Sequence, residues 1–252
     1  MRNFNRSEPF TFFNQIFCFS VKSNLIWSLF NLPVFLFIIL QIFAKDFTAA
    51  ILSTILLLFS LPLLVFPATA SLFALIRDYI VNEEEDQVMN RYLGYFKGNY
   101  LRNFADGLLF NVAMGLLASF YALISSLSIV LNLLIILVGL LFLILTCNYL
   151  IFASYGYNIG EAMASAVQLI FSDYKIPLYQ LIALVIFLLV AHYIPILLPF
   201  FAVSLFICAL TLIMHYRLGQ DYWFEYGKNT PALDRQELGC LLASTFKWFF
   251  VK

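Results

Sequence analysis

The two histidines are the first candidates for catalytic or metal chemistry. His192 and His215 stand at opposite ends of neighbouring apolar stretches, which separates them by about 30 Å if each stretch crosses a bilayer. Metal ligands and proton-transfer partners must lie within a few ångströms of one another. The sequence therefore predicts no shared metal or proton at these histidines, and it contains no H-E-x-x-H, G-x-S-x-G or glycine-rich phosphate motif.

An acidic run is the next candidate for metal binding. Residues 83–86 read Glu-Glu-Glu-Asp and follow Asn82. Adjacent carboxylates at a helix start fan out around the axis, so the run is typical of a capped helix N-terminus. A cation site is the alternative interpretation.

The cysteines do not suggest a redox or zinc site. Their spacing gives no C-x-x-C pair, and three of the four lie in or beside apolar segments, where cysteine behaves as a small apolar residue. We therefore predict no disulfide framework, no metal and no cofactor. The four are Cys18, Cys147, Cys208 and Cys240.

A polar stripe is the strongest candidate for a solute site. Asn111, Gly115 and Ser119 recur every fourth residue in an apolar stretch. Such a stripe is typical of close helix packing, and a narrow path for a neutral solute is the alternative. Ion-coupled carriers usually keep ionisable groups at mid-membrane depth. Here Asp106 comes closest, and we expect it to be an interfacial acid paired with Arg102, one turn earlier.

Composition indicates the elements that must position these residues. Of the 252 residues, 63% are hydrophobic and 11% are charged. In soluble domains about a quarter of all residues are charged. Six apolar runs are long enough to cross a bilayer as helices. The predicted fold is an all-α polytopic transmembrane helical bundle, a single membrane domain over residues 1–252. Its predicted spans are about 24–43, 48–66, 104–124, 129–152, 176–193 and 198–216.

The basic residues predict the orientation of the bundle. With six spans, 13 of the 14 lysines and arginines fall on one side, and only Lys45 falls on the other. The positive-inside rule makes the richer side cytoplasmic. The sequence therefore predicts a plasma-membrane protein with both termini in the cytoplasm, including a tail over 217–252. The net charge of zero gives no indication of a nucleic-acid partner.

Cytoplasmic segments are expected to lie on the inner leaflet as amphipathic helices. The main one covers about 83–103, and its aromatic side chains would anchor it in the headgroup layer of the lipid bilayer. Weaker versions occur at 160–174 and at 10–19. A faint similarity between 89–100 and 163–174 suggests three units of interfacial helix plus hairpin. The predicted anchors are Tyr92, Tyr95, Phe96 and Tyr100.

A Leu-Pro motif occurs twice in the first two predicted spans. Phe30-Asn-Leu-Pro33 matches Phe59-Ser-Leu-Pro62. The polar residue of each motif is expected to cover a carbonyl that the proline frees. We predict a kink at each site, with a broken-helix binding site as the alternative.

Several of these elements resemble one known family. Residues 24–30 (N-L-I-W-S-L-F), 67–73 (P-A-T-A-S-L-F) and 96–100 (F-K-G-N-Y) are similar to motifs of the YesL family of Firmicute membrane proteins, which carry the domain of unknown function DUF624. In many relatives the first two motifs share one apolar stretch, whereas here Lys45 and Asp46 separate them. Such proteins are often encoded near carbohydrate ABC transporters. The resemblance implies a role in sugar uptake with ABC transporter subunits as partners, and it brings no catalytic residue.

Three functions remain open from the sequence. The leading expectation is a non-enzymatic membrane protein that assists or regulates a transport system. The second is a small transporter or channel for a neutral solute, using the stripe at Asn111, Gly115 and Ser119. The third is an enzyme of lipid or cell-wall metabolism, for which only inner-face acids such as Glu161 and Asp173 are available.

Overall fold

The computed structural model describes residues 9–81, 87–124, 128–172 and 174–218, and within these ranges its regular structure is entirely helical. Two short π-helical segments, Leu61–Val65 and Leu198–Ala202, interrupt the α-helices. The α-helices are α1 (Pro9–Phe30), α2 (Leu32–Phe43), α3 (Phe47–Ser60), α4 (Phe66–Val81), α5 (Val88–Gly98), α6 (Tyr100–Ile124), α7 (Ile129–Ser154), α8 (Ile159–Ser172), α9 (Lys175–Tyr193) and α10 (Val203–Leu218).

The described helices support a membrane protein, but they do not confirm six spans. Four are long and apolar enough to cross a bilayer: Phe47–Ile80, Tyr100–Ile124, Ile129–Ser154 and Lys175–Tyr193. A fifth is counted if Asn14–Phe30 and Leu32–Phe43, which together include the first predicted span (24–43), form one span despite a bend of 66°. The last predicted span corresponds to a shorter apolar helix, Leu198–Met214.

The helix that includes the second predicted span is longer than the sequence indicated. We expected it to end near Phe66, before Pro67, but the helix runs through 34 residues to Ile80. The π segment Leu61–Val65 accommodates the prolines without ending the helix. At about 1.5 Å per residue the helix is about 51 Å long, whereas the hydrocarbon core is about 30 Å thick. Arg77 and Asp78 therefore lie on this helix, beyond the end near Phe66 that we expected for the span.

The predicted interfacial segments are also helical, with different bounds. The helix expected over 83–103 is α5, Val88–Gly98, and residues 82–86 with the acidic run lie outside the described residues. Asn99 separates α5 from α6, which begins at Tyr100 and not near residue 104. The segment 10–19 is part of α1, and 160–174 corresponds to α8. The predicted tail 217–252 lies outside the described residues after Leu218.

Burial differs strongly along the long helix. From Ala68 to Ile76 its side chains are almost all buried, with Leu72 and Ile76 at 0% exposure. In contrast, α2, α3 and the first half of α7 expose large apolar side chains, such as Ile42 and Ile129. Exposed apolar surface of this extent is suited to lipid contact. The α4 half thus forms a protein core, and the α3 half presents a surface suited to lipid.

Candidate functional site

A buried carboxylate on α4 is the centre of a charge network. Asp78 is 1% exposed. Its Oδ1 accepts hydrogen bonds from Nε and Nη2 of Arg77 at 2.9 and 2.6 Å, and its Oδ2 accepts one from Nη2 of Arg91 at 2.9 Å. The hydroxyl of Tyr95 also donates to Oδ2. These charge-assisted bonds offset the large cost of taking a carboxylate out of water.

Two tyrosines complete the surroundings of this network. The guanidinium of Arg77 lies 5.7 Å from the ring centroid of Tyr95 and 5.5 Å from that of Tyr155, within cation–π range. Burial, together with the hydrogen bond to Asp78, raises the pKa of Tyr95, and burial raises the pKa of Tyr155. The Tyr95 phenol therefore keeps its proton and remains a donor to Asp78 at neutral pH.

A partly open recess of about 100 Å³ lies beside the network. Nη2 of Arg102 donates to the carbonyl of Ala153 at 3.0 Å, while its Nε is buried without a hydrogen-bond partner. Asn103 is 5% exposed, and its side chain makes no hydrogen bond within the described residues. The polar residues that line the recess are Ser71, Tyr95, Asn99, Arg102, Asn103 and Ser154.

Asp106 is more deeply buried than the sequence indicated. It is 2% exposed, and its Oδ2 accepts a hydrogen bond of 2.5 Å from the hydroxyl of Tyr149 on α7. Arg102 acts on Asp106 only through its charge, since the described residues include no ion pair between them. The expectation of an interfacial acid paired with Arg102 is therefore wrong. The tyrosine that binds Asp106 lies 43 residues further along the chain.

The structure does not gather the predicted polar stripe into one site. Nδ2 of Asn111 donates to the carbonyl of Leu58 at 3.1 Å. Gly115 and Ser119 are exposed, and a Cβ atom added at Gly115 would meet nothing within 4 Å. The Ser119 hydroxyl donates to the Gly115 carbonyl of its own helix at 2.8 Å. Within the described residues, the stripe neither packs closely at Gly115 nor lines an enclosed path.

Close packing on α6 occurs one turn before Asn111, at Gly107, which continues the same every-fourth spacing. An added Cβ atom there would lie 2.8 Å from Cβ of Phe66 and 3.1 Å from Cα of Pro62. Real Cβ atoms essentially never approach so closely, so only glycine lets α6 contact the π segment. The hydroxyl of Tyr100, also on α6, donates to the carbonyl of Leu63 at 3.1 Å.

The predicted anchors divide between the interior and the surface. Tyr92 is 0% exposed, and its hydroxyl donates to the carbonyl of Ala68 at 3.0 Å. Burial raises its pKa. Tyr92 thus lies inside the protein and not in a headgroup layer. Tyr95, Phe96 and Tyr100 are half-buried, and their contact with lipid stays a prediction.

A second polar stripe, which the sequence did not lead us to expect, lies on α1. Nδ2 of Asn24 donates to the carbonyl of Leu198 at 2.7 Å, and its Oδ1 accepts from the backbone N–H of Ser204 at 2.9 Å. Ser28 donates to the Pro199 carbonyl at 2.7 Å, and the Ser204 hydroxyl donates to the Ser20 carbonyl at 2.7 Å. The spacing of Ser20, Asn24 and Ser28, every fourth residue, was the signal that could have revealed it.

The comparisons with known proteins support part of the resemblance. Residues 20–119 match the family model described as a protein of unknown function, DUF624. Two of its motif segments meet in space, because Nε1 of Trp27 donates to Oγ1 of Thr69 at 3.1 Å. The chain finds no match among curated proteins or among solved structures.

Proposed function

We propose that the protein is a non-enzymatic, multi-pass plasma-membrane protein that assists or regulates a transport system for carbohydrates. The proposal includes six spans, with the bent pair α1–α2 and the shorter α10 segment as the first and last, and both termini in the cytoplasm. ABC transporter subunits are its expected partners, as the similarity to YesL proteins implies. A reporter fused after Lys252 that reads outside the cell would contradict the proposed topology.

One observation supports this function over conduction: polar side chains deep in the bundle bind one another. Asn148 on α7 and Gln180 on α9 are 0% and 1% exposed and exchange two hydrogen bonds, of 3.1 and 2.6 Å. Amides paired in this way hold helices together in lipid. A conducting path requires polar groups that face the solute, whereas these groups face each other.

The outward side of α5 offers a surface for a cytoplasmic partner. Tyr92 is buried on one side of this helix, while Asn90 and Lys97 are exposed on the other. A basic, polar helix surface of this kind is suited to docking against an acidic partner. Lys97 is the informative position because its side chain carries the positive charge of this surface.

The decisive experiment measures carbohydrate uptake in cells that lack the protein and flux in liposomes that contain it alone. We expect uptake to fall in the cells and flux through the purified protein to be undetectable. In the same cells, Lys97→Glu should restore uptake less well than wild type. Lys45→Glu is the matched control, since Lys45 is exposed on the predicted opposite side, and it should restore uptake fully.

The alternative function, a small transporter or channel for a neutral solute, predicts the reverse. Purified protein would then carry solute across liposomes without a partner. The exposed Gly115 and Ser119 are the specific feature that keeps this alternative. Solute flux through the purified wild-type protein in liposomes that is lost in Ser119→Leu would establish this alternative and would contradict the accessory function.

A further inference from the structure

Arg102 differs from the other arginines of the α4–α6 region. Arg77 and Arg91 bind Asp78 in ion pairs of 2.6 and 2.9 Å. Arg102 forms no ion pair within the described residues, and only one of its five N–H donors is used, in the bond from Nη2 to the Ala153 carbonyl. A buried N–H donor without a partner, here that of Nε, is costly. Binding of an anion would recover that cost.

Asn103 provides an independent indication of a ligand. The residue is 5% exposed and lines the recess, and its side chain makes no hydrogen bond among the described residues. Buried amides in proteins are nearly always hydrogen-bonded to protein or to ordered molecules. An amide without a hydrogen-bond partner, in a residue that lines a recess together with an arginine, therefore indicates a bound polar group.

The recess has the size and the donors for one phosphate group. Its volume is about 100 Å³, roughly the share of three water molecules in the liquid. Arg102, Asn103 and Asn99 all line it and all carry N–H donors. Arginine is the preferred ligand of phosphate because its donors match two phosphate oxygens at once.

We propose that this recess is a phosphate-binding site formed by Arg102 and Asn103, with Asn99 at its edge. The phosphate belongs either to the headgroup of an anionic lipid or to a free phosphate compound. Basic pockets between transmembrane helices on the cytoplasmic side are common headgroup sites, and Arg102 lies in the first turn of α6, at the predicted inner surface. The proposal does not depend on the function in transport.

Binding to the full chain in nanodiscs tests the proposal. One arm titrates inorganic phosphate, with potassium chloride at equal ionic strength as the reference, into phosphatidylcholine discs. The other arm compares discs of phosphatidylcholine with and without phosphatidylglycerol, by lipid retention in native mass spectrometry. We expect saturable binding in at least one arm: the first identifies a free phosphate and the second a lipid headgroup.

Two variants locate the site, and one controls for charge. Asn103→Ala removes no hydrogen bond from the described protein, so it should fold, and Arg102→Gln removes the cation. Each should weaken binding about tenfold or more, as expected for the loss of a hydrogen bond to a charged group. Lys22→Gln removes an exposed charge outside the recess and should change affinity less than about twofold. Absence of binding in both arms, or equal affinity in Asn103→Ala and wild type, would overturn the proposal.

Discussion

Two copies of the same Leu-Pro motif have opposite effects on their helices. At Pro33 the chain bends by 66° between Asn14–Phe30 and Leu32–Phe43. At Pro62 a helix of 34 residues continues from Phe47 to Ile80. The local sequences, F-N-L-P and F-S-L-P, differ at one position. The motif alone therefore does not determine whether the helix breaks.

The difference lies in what the neighbouring helix supplies. A proline removes the donor for the carbonyl four residues earlier. For Pro62 it is the carbonyl of Leu58, which accepts a hydrogen bond from Asn111. For Pro67 it is the carbonyl of Leu63, which accepts one from Tyr100. Both donors come from α6. At the first motif the carbonyl four residues before Pro33 is that of Leu29. The Asn31 side chain donates instead to the carbonyl of Trp27, and its Oδ1 is buried without a partner.

Among the variants that test this comparison, Gly107→Ala should lower the free energy of unfolding most. The new methyl group would lie 2.8 Å from Cβ of Phe66 and so push α6 away from the π segment. We expect a loss of about 1–3 kcal/mol in the free energy of unfolding, measured by SDS titration of the protein in mild detergent. Gly115→Ala on the same helix has open space and should cost nothing or stabilise by up to about 1 kcal/mol. Equal losses in both variants would refute close packing at Gly107.

Asn111→Leu should rank second. It removes the donor to the Leu58 carbonyl while keeping an apolar side chain of similar size. The expected loss is about 1–2 kcal/mol in the same titration, since an unsatisfied carbonyl in lipid finds no water. Ser119→Ala is the control, because its hydroxyl binds only its own helix, and it should be neutral. A neutral Asn111→Leu would mean that the π segment does not need α6.

Tyr100→Phe should have a smaller effect. It deletes the hydroxyl that donates to Leu63 and leaves the ring, which stacks near Phe96 and Phe104. We expect a loss of about 0.5–1 kcal/mol, read from the same unfolding curves. Tyr121→Phe, at an exposed position of α6, is the matched control. Should the two phenylalanine variants unfold alike, the Leu63 carbonyl does not depend on Tyr100.

Asn31→Ala should have the smallest effect, below about 0.5 kcal/mol. The Trp27 carbonyl keeps its backbone donor from Asn31 at 3.1 Å, and the variant also removes the unpartnered Oδ1. The bend, measured between spin labels at positions 21 and 40, should remain. If the segment straightened, the bend at Pro33 would be due to Asn31 and not to the absence of a donor from a neighbouring helix.

Hydropathy predicted the helices but not where they end or what joins them. The apolar runs around Asn111 and Asn148 predict helices because, in lipid, the backbone N–H and C=O groups must bond to one another within the segment. The continuation through Pro67 could not be predicted, because the donors at Asn111 and Tyr100 are 53 and 37 residues from the carbonyls they bind. The charge network at Asp78 could not be predicted for the same reason, because Arg91 and Tyr95, which bind it, follow 13 and 17 residues later.

The candidate site was less predictable than the fold. The sequence directed attention to Asn111, Gly115 and Ser119, which share a helix face by spacing alone. The recess instead combines Ser71, Arg102 and Ser154 from three helices. Regular spacing predicts neighbours within one helix, and it gives no information about which faces of different helices meet. On α1, residues with the same every-fourth spacing do form a contact, because the segment 198–204 packs against them.

The hydrogen bonds between α1 and the last described helix have a consequence for the order of synthesis. Asn24 binds Leu198 and Ser204, which lie 174 and 180 residues later in the chain. At about 5–20 residues per second, a ribosome needs about 10–40 s to make that interval. During this delay the amide of Asn24 must be satisfied by water, lipid headgroups or the insertion machinery. Helix α1 can thus reach these contacts only after the segments from α2 to α9 have been made.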